Sequence, residues 1–486
     1  MRTDMQTLAT TGITHTTAII WLSIIGLLVI VGILMAIVAI VYMLRQNRTP
    51  QSSVAWLLAI ILCPWISVPL FFYLGGRKWA NINEMGGYLT MTTTHEDEVE
   101  DSRAASVEHL LKSHGLPNAT AGNDIRMLAT GVDIYESMVE EINAATRSIC
   151  IETFIFLLDD VGTALLDLLI KRAKDGIEVR LLLDAIGDMA APKKIRATKQ
   201  HARLAELTRA GGRVAFFMPK LHSPLRGSGN LRNHRKIAIF DDHVVISGGT
   251  NISEQYIGPT ELDSRWPDCS LRISGPTAYN YLQIFAHDWK FATGEAYPTG
   301  TEPKPSDDGQ VAQLMASGPD TAGDPIYDAF MSMIYLATDR LWLVSPFFVP
   351  DEAMCNAFSS AARRGTDVRI VVPDRSIVRL ADWAGETYLR QCQAAGATIY
   401  RYMPNMFHGK LMLMDDRLAV IGSANLDMRS LFLNYECSLL MYSRQGISDV
   451  EKWIDDIASK SKIGMPPIGM LGAAGEGLAR TLGPLL

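Results

Sequence analysis

Two stretches decide how this chain reads: Asn233-His234-Arg235-Lys236-Ile237-Ala238-Ile239-Phe240-Asp241 and Phe407-His408-Gly409-Lys410-Leu411-Met412-Leu413-Met414-Asp415. The first runs on to Gly248-Gly249-Thr250-Asn251 and the second to Gly422-Ser423-Ala424-Asn425, so both spell His-x-Lys-x4-Asp-x6-Gly-x-x-Asn. A single His-x-Lys-x4-Asp arises by accident in roughly a few per cent of chains of this length at average composition. Two copies sharing the same downstream Gly and Asn are a duplication. The bland alternative, two core histidines beside surface lysines, leaves the common spacing unexplained.

The apolar run after each Lys predicts a buried strand. Strand side chains two apart face the same way, so His234 with Lys236, and His408 with Lys410, are expected to point at one ligand. A neutral imidazole can attack or accept a proton, and an ammonium beside it supplies positive charge to phosphate oxygens. The two pairs, with the motif carboxylates Asp241 and Asp415, form the catalytic candidates. Each Gly-x-x-Asn turn can return an amide towards the His, which makes Asn251 and Asn425 the substrate-binding candidates. Further on, Asp268 and Glu436 are candidates to orient the imidazoles. No cluster has metal-ligand spacing, and lysine can stabilise phosphate charge, so neither a metal nor another cofactor is expected. The remaining histidines read as structural or surface residues.

The duplication extends upstream. Ala145-Thr146-Arg147 opens a strand reaching Phe156, and Ala337-Thr338-Asp339 opens one reaching Phe348. Helix-patterned segments end at Asp175-Gly176 and Arg364-Gly365, and strands follow over 178–183 and 367–372. A second helix pattern closes on Ala210-Gly211 or Ala395-Gly396 before strands over 213–217 and 398–402. The offset between copies falls from 192 (145 to 337) to 189 (179 to 368), 185 (210 to 395) and 174 (234 to 408), the slow drift that loop-length changes produce. Alternating strands and helices predict an α/β layered fold in each half. Punctuated stretches, TTTHEDEVED at 92–101 and PTGTEPKPSDDG at 298–309, mark boundaries. The expected organisation is a membrane hairpin (1–80), a linker (81–120), a first half (121–297), a linker (298–310), a second half (311–463) and an apolar tail (464–486).

With 486 residues, 48% hydrophobic and 20% charged, the chain has the composition of a globular protein with a large core. Its 45 basic against 52 acidic residues give −7, so no overall basic excess points to nucleic acid. Any anion site must be local, and residues 193–236 hold twelve Lys and Arg against one acid, Glu206. Such a zone is either a solvated helix face or an attraction for anionic headgroups. The positive mean hydropathy, +0.11, traces to uncharged stretches at 16–44 and 54–74. The first is long enough to cross a bilayer and too long for a signal-peptide core. The second carries aromatic residues near its ends, with Pro64 and Pro69 as helix breakers. A hairpin puts both ends on one side, where Arg2, Arg77 and Lys78 outnumber Arg45 and Arg48 of the connecting loop, a vote for a cytoplasmic catalytic part. The six cysteines form no CxxC pair, consistent with a reducing compartment. The tail, with Glu476 and Arg480 as its charges, reads as flexible or as an interfacial membrane contact.

The duplicated motif resembles the hallmark of the phospholipase D superfamily. Within it, the hairpin, the basic Arg45-Gln46-Asn47-Arg48-Thr49-Pro50 and the exit Tyr73-Leu74-Gly75-Gly76-Arg77 are similar to bacterial cardiolipin synthases. The resemblance implies two tandem phospholipase D-like α/β/α halves sharing one active site behind a two-helix transmembrane hairpin. It further implies that one His, by analogy His234, forms a phosphohistidine while His408 acts as acid and base, with Lys236, Lys410, Asn251 and Asn425 on the phosphate oxygens. The implied reaction joins two phosphatidylglycerols into cardiolipin and glycerol, in a multi-pass protein of the bacterial inner membrane. A phospholipase D or phosphatidylserine synthase would use the same covalent step. An anchored nuclease or an idle scaffold fits the hairpin or the intact motifs less well, and the Asp-Gly-x-x-Ala-Arg signature of CDP-alcohol lipid synthases is absent. One departure stands out: the superfamily's Gly-Ser is Gly248-Gly249 in the first copy, which leaves position 249 outside the catalytic set.

Overall fold

The computed structural model describes residues 2–45, 50–75, 87–94, 99–187, 195–217, 231–481 and 483. Arg48, Arg77 and Lys78 of the charge vote, and Lys193, Lys194, Lys220 and Arg226 of the basic zone, lie outside the described residues. The described residues form two compact units, one at the N-terminus and one from residue 87 onwards.

In the N-terminal unit, α1 (Arg2–Leu44) contains a 25-residue apolar segment, Ile20–Leu44, of mean hydropathy 3.3. At 1.5 Å per residue it is about 37 Å long, enough to cross a bilayer. The second apolar stretch is not one helix. It forms α2 (Pro50–Leu62) and α3 (Pro64–Leu74), because Pro64 has no N–H to continue the hydrogen-bond ladder and instead starts a new helix at its first turn. At about 20 Å and 16 Å, neither matches the ~30 Å hydrocarbon core alone. Ala39 and Met43 of α1, Ile60 of α2, and Val68 and Phe71 of α3 bury one another.

The larger unit begins inside the expected linker 81–120, where α4 (Ser102–Ser113) is capped by the Asp101 carboxylate and buries Ala104, Val107 and Leu111. The first half comprises β1 (Thr120–Leu128), α5 (Gly131–Ala144), β2 (Ser148–Thr153), α6 (Asp160–Lys174), β3 (Glu178–Asp184), α7 (Ile195–Arg209), β4 (Arg213–Phe217), β5 (Ile237–Phe240), β6 (Val244–Gly248), β7 (Ser270–Ser274) and α8 (Pro276–Thr293). The second comprises β8 (Gln310–Ser317), α9 (Pro325–Leu336), β9 (Arg340–Val344), β10 (Phe348–Val349), α10 (Glu352–Arg363), β11 (Asp367–Pro373), α11 (Arg379–Ala394), β12 (Thr398–Tyr402), β13 (Leu411–Met414), β14 (Leu418–Gly422), β15 (Leu426–Asp427), α12 (Met428–Phe432), β16 (Glu436–Met441) and α13 (Arg444–Ser459). An edge strand, β17 (Ser461–Ile463), and α14 (Met470–Thr481) close the chain.

Fifteen strands make one sheet, ordered β17-β12-β11-β9-β13-β14-β16-β8-β1-β7-β6-β5-β2-β3-β4. From the central antiparallel pair β1–β8 outwards, the same succession of strand types appears on both sides. In each half three strands run parallel (β2, β3, β4; β9, β11, β12), and the motif strand lies antiparallel beside the first of them. The motif strand therefore starts where β2 or β9 ends, at the carboxyl ends where open α/β sheets bind ligands.

Over its described residues 464–481 the tail is not loose. Helix α14 packs on α11 because Glu476 pairs with Arg390 (3.1 Å) and the Arg480 guanidinium stacks on Tyr388, two polar anchors that outweigh the tail's glycine content.

Helices α6 and α10 both stop at a left-handed glycine, Gly176 (φ 91°) and Gly365 (φ 94°), with no atom within 4 Å of the place a Cβ would occupy. Gly176→Ala and Gly365→Ala should therefore each cost about 1 kcal/mol of backbone strain, equal in the two halves. Urea unfolding measures it; a cost confined to one half would contradict the equivalence of the two turns.

Candidate active site

The His-x-Lys units sit just before strands β5 and β13 rather than on them, which differs from the strand placement expected from the spacing. Each His N–H is taken by the opposite half: His234 N donates to Tyr435 O (2.9 Å) and His408 N to Pro267 O (2.7 Å). Each lysine folds back on its own histidine, Lys236 Nζ donating to His234 O (2.5 Å) and Lys410 Nζ to His408 O.

The side chains are exchanged crosswise as well. His234 Nδ1 donates to Glu436 (3.0 Å) and His408 Nδ1 to Asp268 (2.7 Å). Both carboxylates are fully buried. The orienting candidates thus both meet an imidazole, each across the junction between halves. With Nδ1–H held, each Nε2 carries the lone pair. Phe154 and Tyr256 stand edge-on to His234 and His408, with ring centroids 5.1 and 4.9 Å apart.

Burial drives the electrostatics. It lowers His234 to about 4 and His408 to about 3, against the pull of Glu436 and Asp268, so both rings are neutral at pH 7. Burial likewise lowers Lys236 to about 7 and Lys410 to about 8. For Glu436 and Asp268 burial pushes upwards, but the bonded imidazole and the nearby lysine outweigh it and hold both carboxyls below the ordinary range.

Each Gly-x-x-Asn stretch begins beside its motif lysine. Ser247 Oγ donates to Lys236 O (2.8 Å), and Gly422 N donates to Lys410 O (3.3 Å). Asn251, which shares a cavity of about 30 Å³ with Lys236, accepts the Ile155 N–H (3.2 Å) and bonds Tyr256. Asn425 bonds Asp427, while its Oδ1 is buried without a partner among the described residues.

Asp241 and Asp415 are not brought to the site, and their place among the catalytic candidates is corrected. Each lies at the far end of its motif strand, about 17 Å from the lysine at the rise of extended chain. In a left-handed turn (φ 51° for both), Asp241 accepts the N–H groups of Thr146, Arg147 and Ser148, and Asp415 those of Thr338, Asp339 and Arg340. They tie the start of β2 and β9 to the end of the motif strand. The repeated Ala-Thr at 145–146 and 337–338 belongs to this clamp.

Gly249 also has its reason. Ser423 Oγ donates to Glu436, whereas a Cβ at position 249 would stand 2.6 Å from Asp268 Oδ1. The shorter aspartate occupies the hydroxyl's space and accepts the Cys269 N–H (2.8 Å) instead.

Sequence reasoning missed Arg235, the x of the first motif. Its fully buried guanidinium donates to both oxygens of Asp288 (2.9 and 2.8 Å) and of Asp320 (3.1 and 2.9 Å), and its Nε to Glu436 O (3.3 Å). It therefore anchors the backbone of the acid that holds His234. His287, Asp288 and Asp320 resemble a metal-binding group by residue type, but both carboxylates are taken by this guanidinium. No sequence spacing links residues 235, 288 and 320.

Two neutral imidazoles, each with Nδ1 held and Nε2 free, beside two lysines have the chemistry to supply a nucleophile and a proton carrier to a phosphorus centre. Replacing Glu436 by Gln or Asp268 by Asn should lower kcat by roughly 10²-fold or more with little change in KM or thermal unfolding. Asp241→Ala should do the opposite, costing about 2 kcal/mol of stability while folded protein keeps its kcat. Steady-state kinetics with thermal melts separates the two; loss of kcat in folded D241A would return that carboxylate to the catalytic set.

Known proteins match this chain over most of its length. A family profile described as "Cardiolipin synthase, PLD-like domain" matches residues 138–289 and 330–458, and one described as "Phospholipase_D-nuclease N-terminal" matches 34–76. A protein named cardiolipin synthase A from Pseudomonas fluorescens is 32% identical over 88% of this chain and 90% of its own length. Cardiolipin synthase 1 from Bacillus anthracis is 28% identical over 89% of each chain. The crystal structure of phosphatidylserine synthase from Haemophilus influenzae superposes with a TM-score of 0.60 at 16% identity, covering 78% of this chain and 98% of that one, a likeness of fold.

Proposed function

Because this chain belongs to the phospholipase D-like cardiolipin synthase family, we propose that it transfers a phosphatidyl group from one phosphatidylglycerol to the free glycerol hydroxyl of another, giving cardiolipin and glycerol. The observation that carries the reading is the pair of crosswise-held imidazoles at the carboxyl ends of the parallel strands. An apolar helix long enough to cross a bilayer supports lipid substrates.

In the proposed course, His234 Nε2 attacks phosphorus as the bond to the departing glycerol oxygen breaks, leaving a phosphohistidine. His408 gives that oxygen a proton, then takes one from the incoming hydroxyl, whose oxygen attacks phosphorus and frees His234. Lys236 and Lys410 neutralise the phosphate oxygens, and Asn251 and Asn425 complete their binding. A bound phosphodiester anion favours the charged form of every group around it, so it restores protons to the lysines and lets His408 carry one. The membrane part is proposed as a hairpin in which α2 and α3 together return the chain past α1, leaving the catalytic part cytoplasmic; cysteine-accessibility labelling at both ends of α1 tests it.

Phosphatidylglycerol as sole lipid should yield cardiolipin and glycerol in equal amounts, and His234→Ala should abolish both while the protein stays folded. Phosphatidic acid as the main product, or serine outcompeting the lipid acceptor, would sink the reading. Since kcat/KM reports the free enzyme, in which His408 is neutral at pH 7, it should fall as pH rises above about 4, because His408 must first take up the proton it donates, and more steeply through 7 to 8, where Lys236 and Lys410 lose theirs; the rise towards acid levels off near pH 4, where His234 gains a proton. A kcat/KM still rising at pH 9 would contradict charged lysines as the phosphate ligands.

A further inference from the structure

The loop from β11 into α11 has its burial inverted. Ser376 is buried, while Ile377 is 66% exposed and Val378, Leu380 and Trp383 are 38%, 37% and 49% exposed. The inversion is built in: Ser376 N donates to Asp382 Oδ2 (3.0 Å), and Val378 N donates to Ser376 Oγ (3.0 Å). A turn stitched through its serine has no inward place for Ile377 and Val378, so four large apolar side chains stand in water on one corner of the molecule. Arginines alternate with them. Arg375, 76% exposed, precedes Ile377, and exposed Arg379 lies between Val378 and Leu380. The neighbouring carboxylates have other partners, Asp374 the Arg401 guanidinium and Asp382 the Ser376 N–H, although Asp374 also lies 4.0 Å from Arg375.

The corner lies at the same end of the sheet as the candidate active site. It follows the carboxyl end of β11, the end of the sheet at which His408 and Lys410 lie. A cavity of about 370 Å³ runs beneath it, lined by Phe347, Phe348 and Trp383 and by three arginines (Arg375, Arg379, Arg401) and three acids (Asp374, Asp382, Glu386), so that the outward basic character rests on exposed Arg375 and Arg379. Phe348 pairs in turn with Leu426, the residue after Asn425. Apolar tips, a tryptophan and interleaved arginines are the composition that settles into the headgroup layer of an anionic bilayer, where each basic residue contributes about 1 kcal/mol.

We propose that Ile377, Val378, Leu380 and Trp383, with Arg375 and Arg379, form an interfacial contact that seats the mouth of the second half in the headgroup layer of an anionic bilayer, so that lipids reach the site without crossing water. Nothing in the proposal depends on where helix α1 lies. A second copy of this chain is the competing occupant.

The full-length protein is reconstituted in phosphatidylglycerol vesicles whose acyl chains carry bromine at carbons 6 and 7, and in the same vesicles without bromine. Subtracting the emission of Trp383→Phe from that of the wild type isolates one tryptophan of nine. That component should be quenched at least about two-fold by the brominated lipid. The pair Ile377→Ser and Leu380→Ser, at exposed positions, should raise the KM for vesicle lipid several-fold while turnover of monomeric short-chain phosphatidylglycerol stays the same. An unquenched Trp383, an equal effect on both substrates, or a change of oligomeric state in place of quenching would each overturn the proposal. Quenching is read without turnover, so it stands or falls separately from the reaction proposed above.

Discussion

Each catalytic-site imidazole is held by a carboxylate that belongs to the other half of the chain. His234 leans on Glu436 and His408 on Asp268, and the backbone N–H of each histidine is bound by the partner half as well. Neither half can present a correctly oriented imidazole by itself, so the site exists only where the halves meet. The continuous sheet, joined through β1 and β8, keeps that meeting from being a loose docking of two domains. Burying two carboxylates completely is costly, and the cost is tolerable because every one is hydrogen-bonded and paired with a group that carries or can gain positive charge. The same burial removes competing water contacts and leaves each Nε2 as the free end of a fixed ring.

The duplicated halves are alike in topology and unlike in chemistry. The residue between His and Lys is Arg235 in one, gripping Asp288, Asp320 and the Glu436 carbonyl, and Gly409 in the other, where a Cβ would lie 2.5 Å from the Trp453 ring. On the Glu436 side a serine hydroxyl adds to the carboxylate, and on the Asp268 side a shorter acid fills that space. A reaction that asks one imidazole to bond phosphorus and the other to move protons gains from this inequality. Two identical sides would have to divide those roles by chance.

How much of this was legible in the sequence depends on whether the signal was local. The strand and helix order, the paired Gly176 and Gly365 turns and the two His-Lys pairs follow from patterns a few residues long, and the described elements fall where those patterns lie. Asp241 and Asp415 misled because constant spacing from a catalytic residue looks the same whether it serves chemistry or a turn. A four-residue strand separates them from the lysine, which puts a motif member at the wrong end of the sheet to touch substrate. The crosswise pairing was beyond reach for a different reason: 202 residues separate His234 from Glu436 and 140 separate His408 from Asp268, and nothing along the chain says which acid meets which ring. Arg235 was hidden in a position that the motif treats as variable. Of the two helix breakers marked in the second apolar stretch, Pro64 divides it into α2 and α3, whereas Pro69 lies inside α3 without ending it.

Net charge was a poor guide to the ligand because the decisive charges are conditional. The chain carries −7 overall, while the two lysines that would meet a phosphate are buried deeply enough to be close to losing their protons at neutral pH. With both imidazoles neutral, the two buried carboxylates offset the two lysines, so the free site carries little net charge. An entering phosphodiester changes the balance, since its negative charge draws protons onto lysine and imidazole together, and binding is then linked to the protonation that the chemistry requires. The desolvation that looks like a penalty in the empty protein thus couples substrate capture to readiness for proton transfer, and it selects for a ligand that is itself an anion.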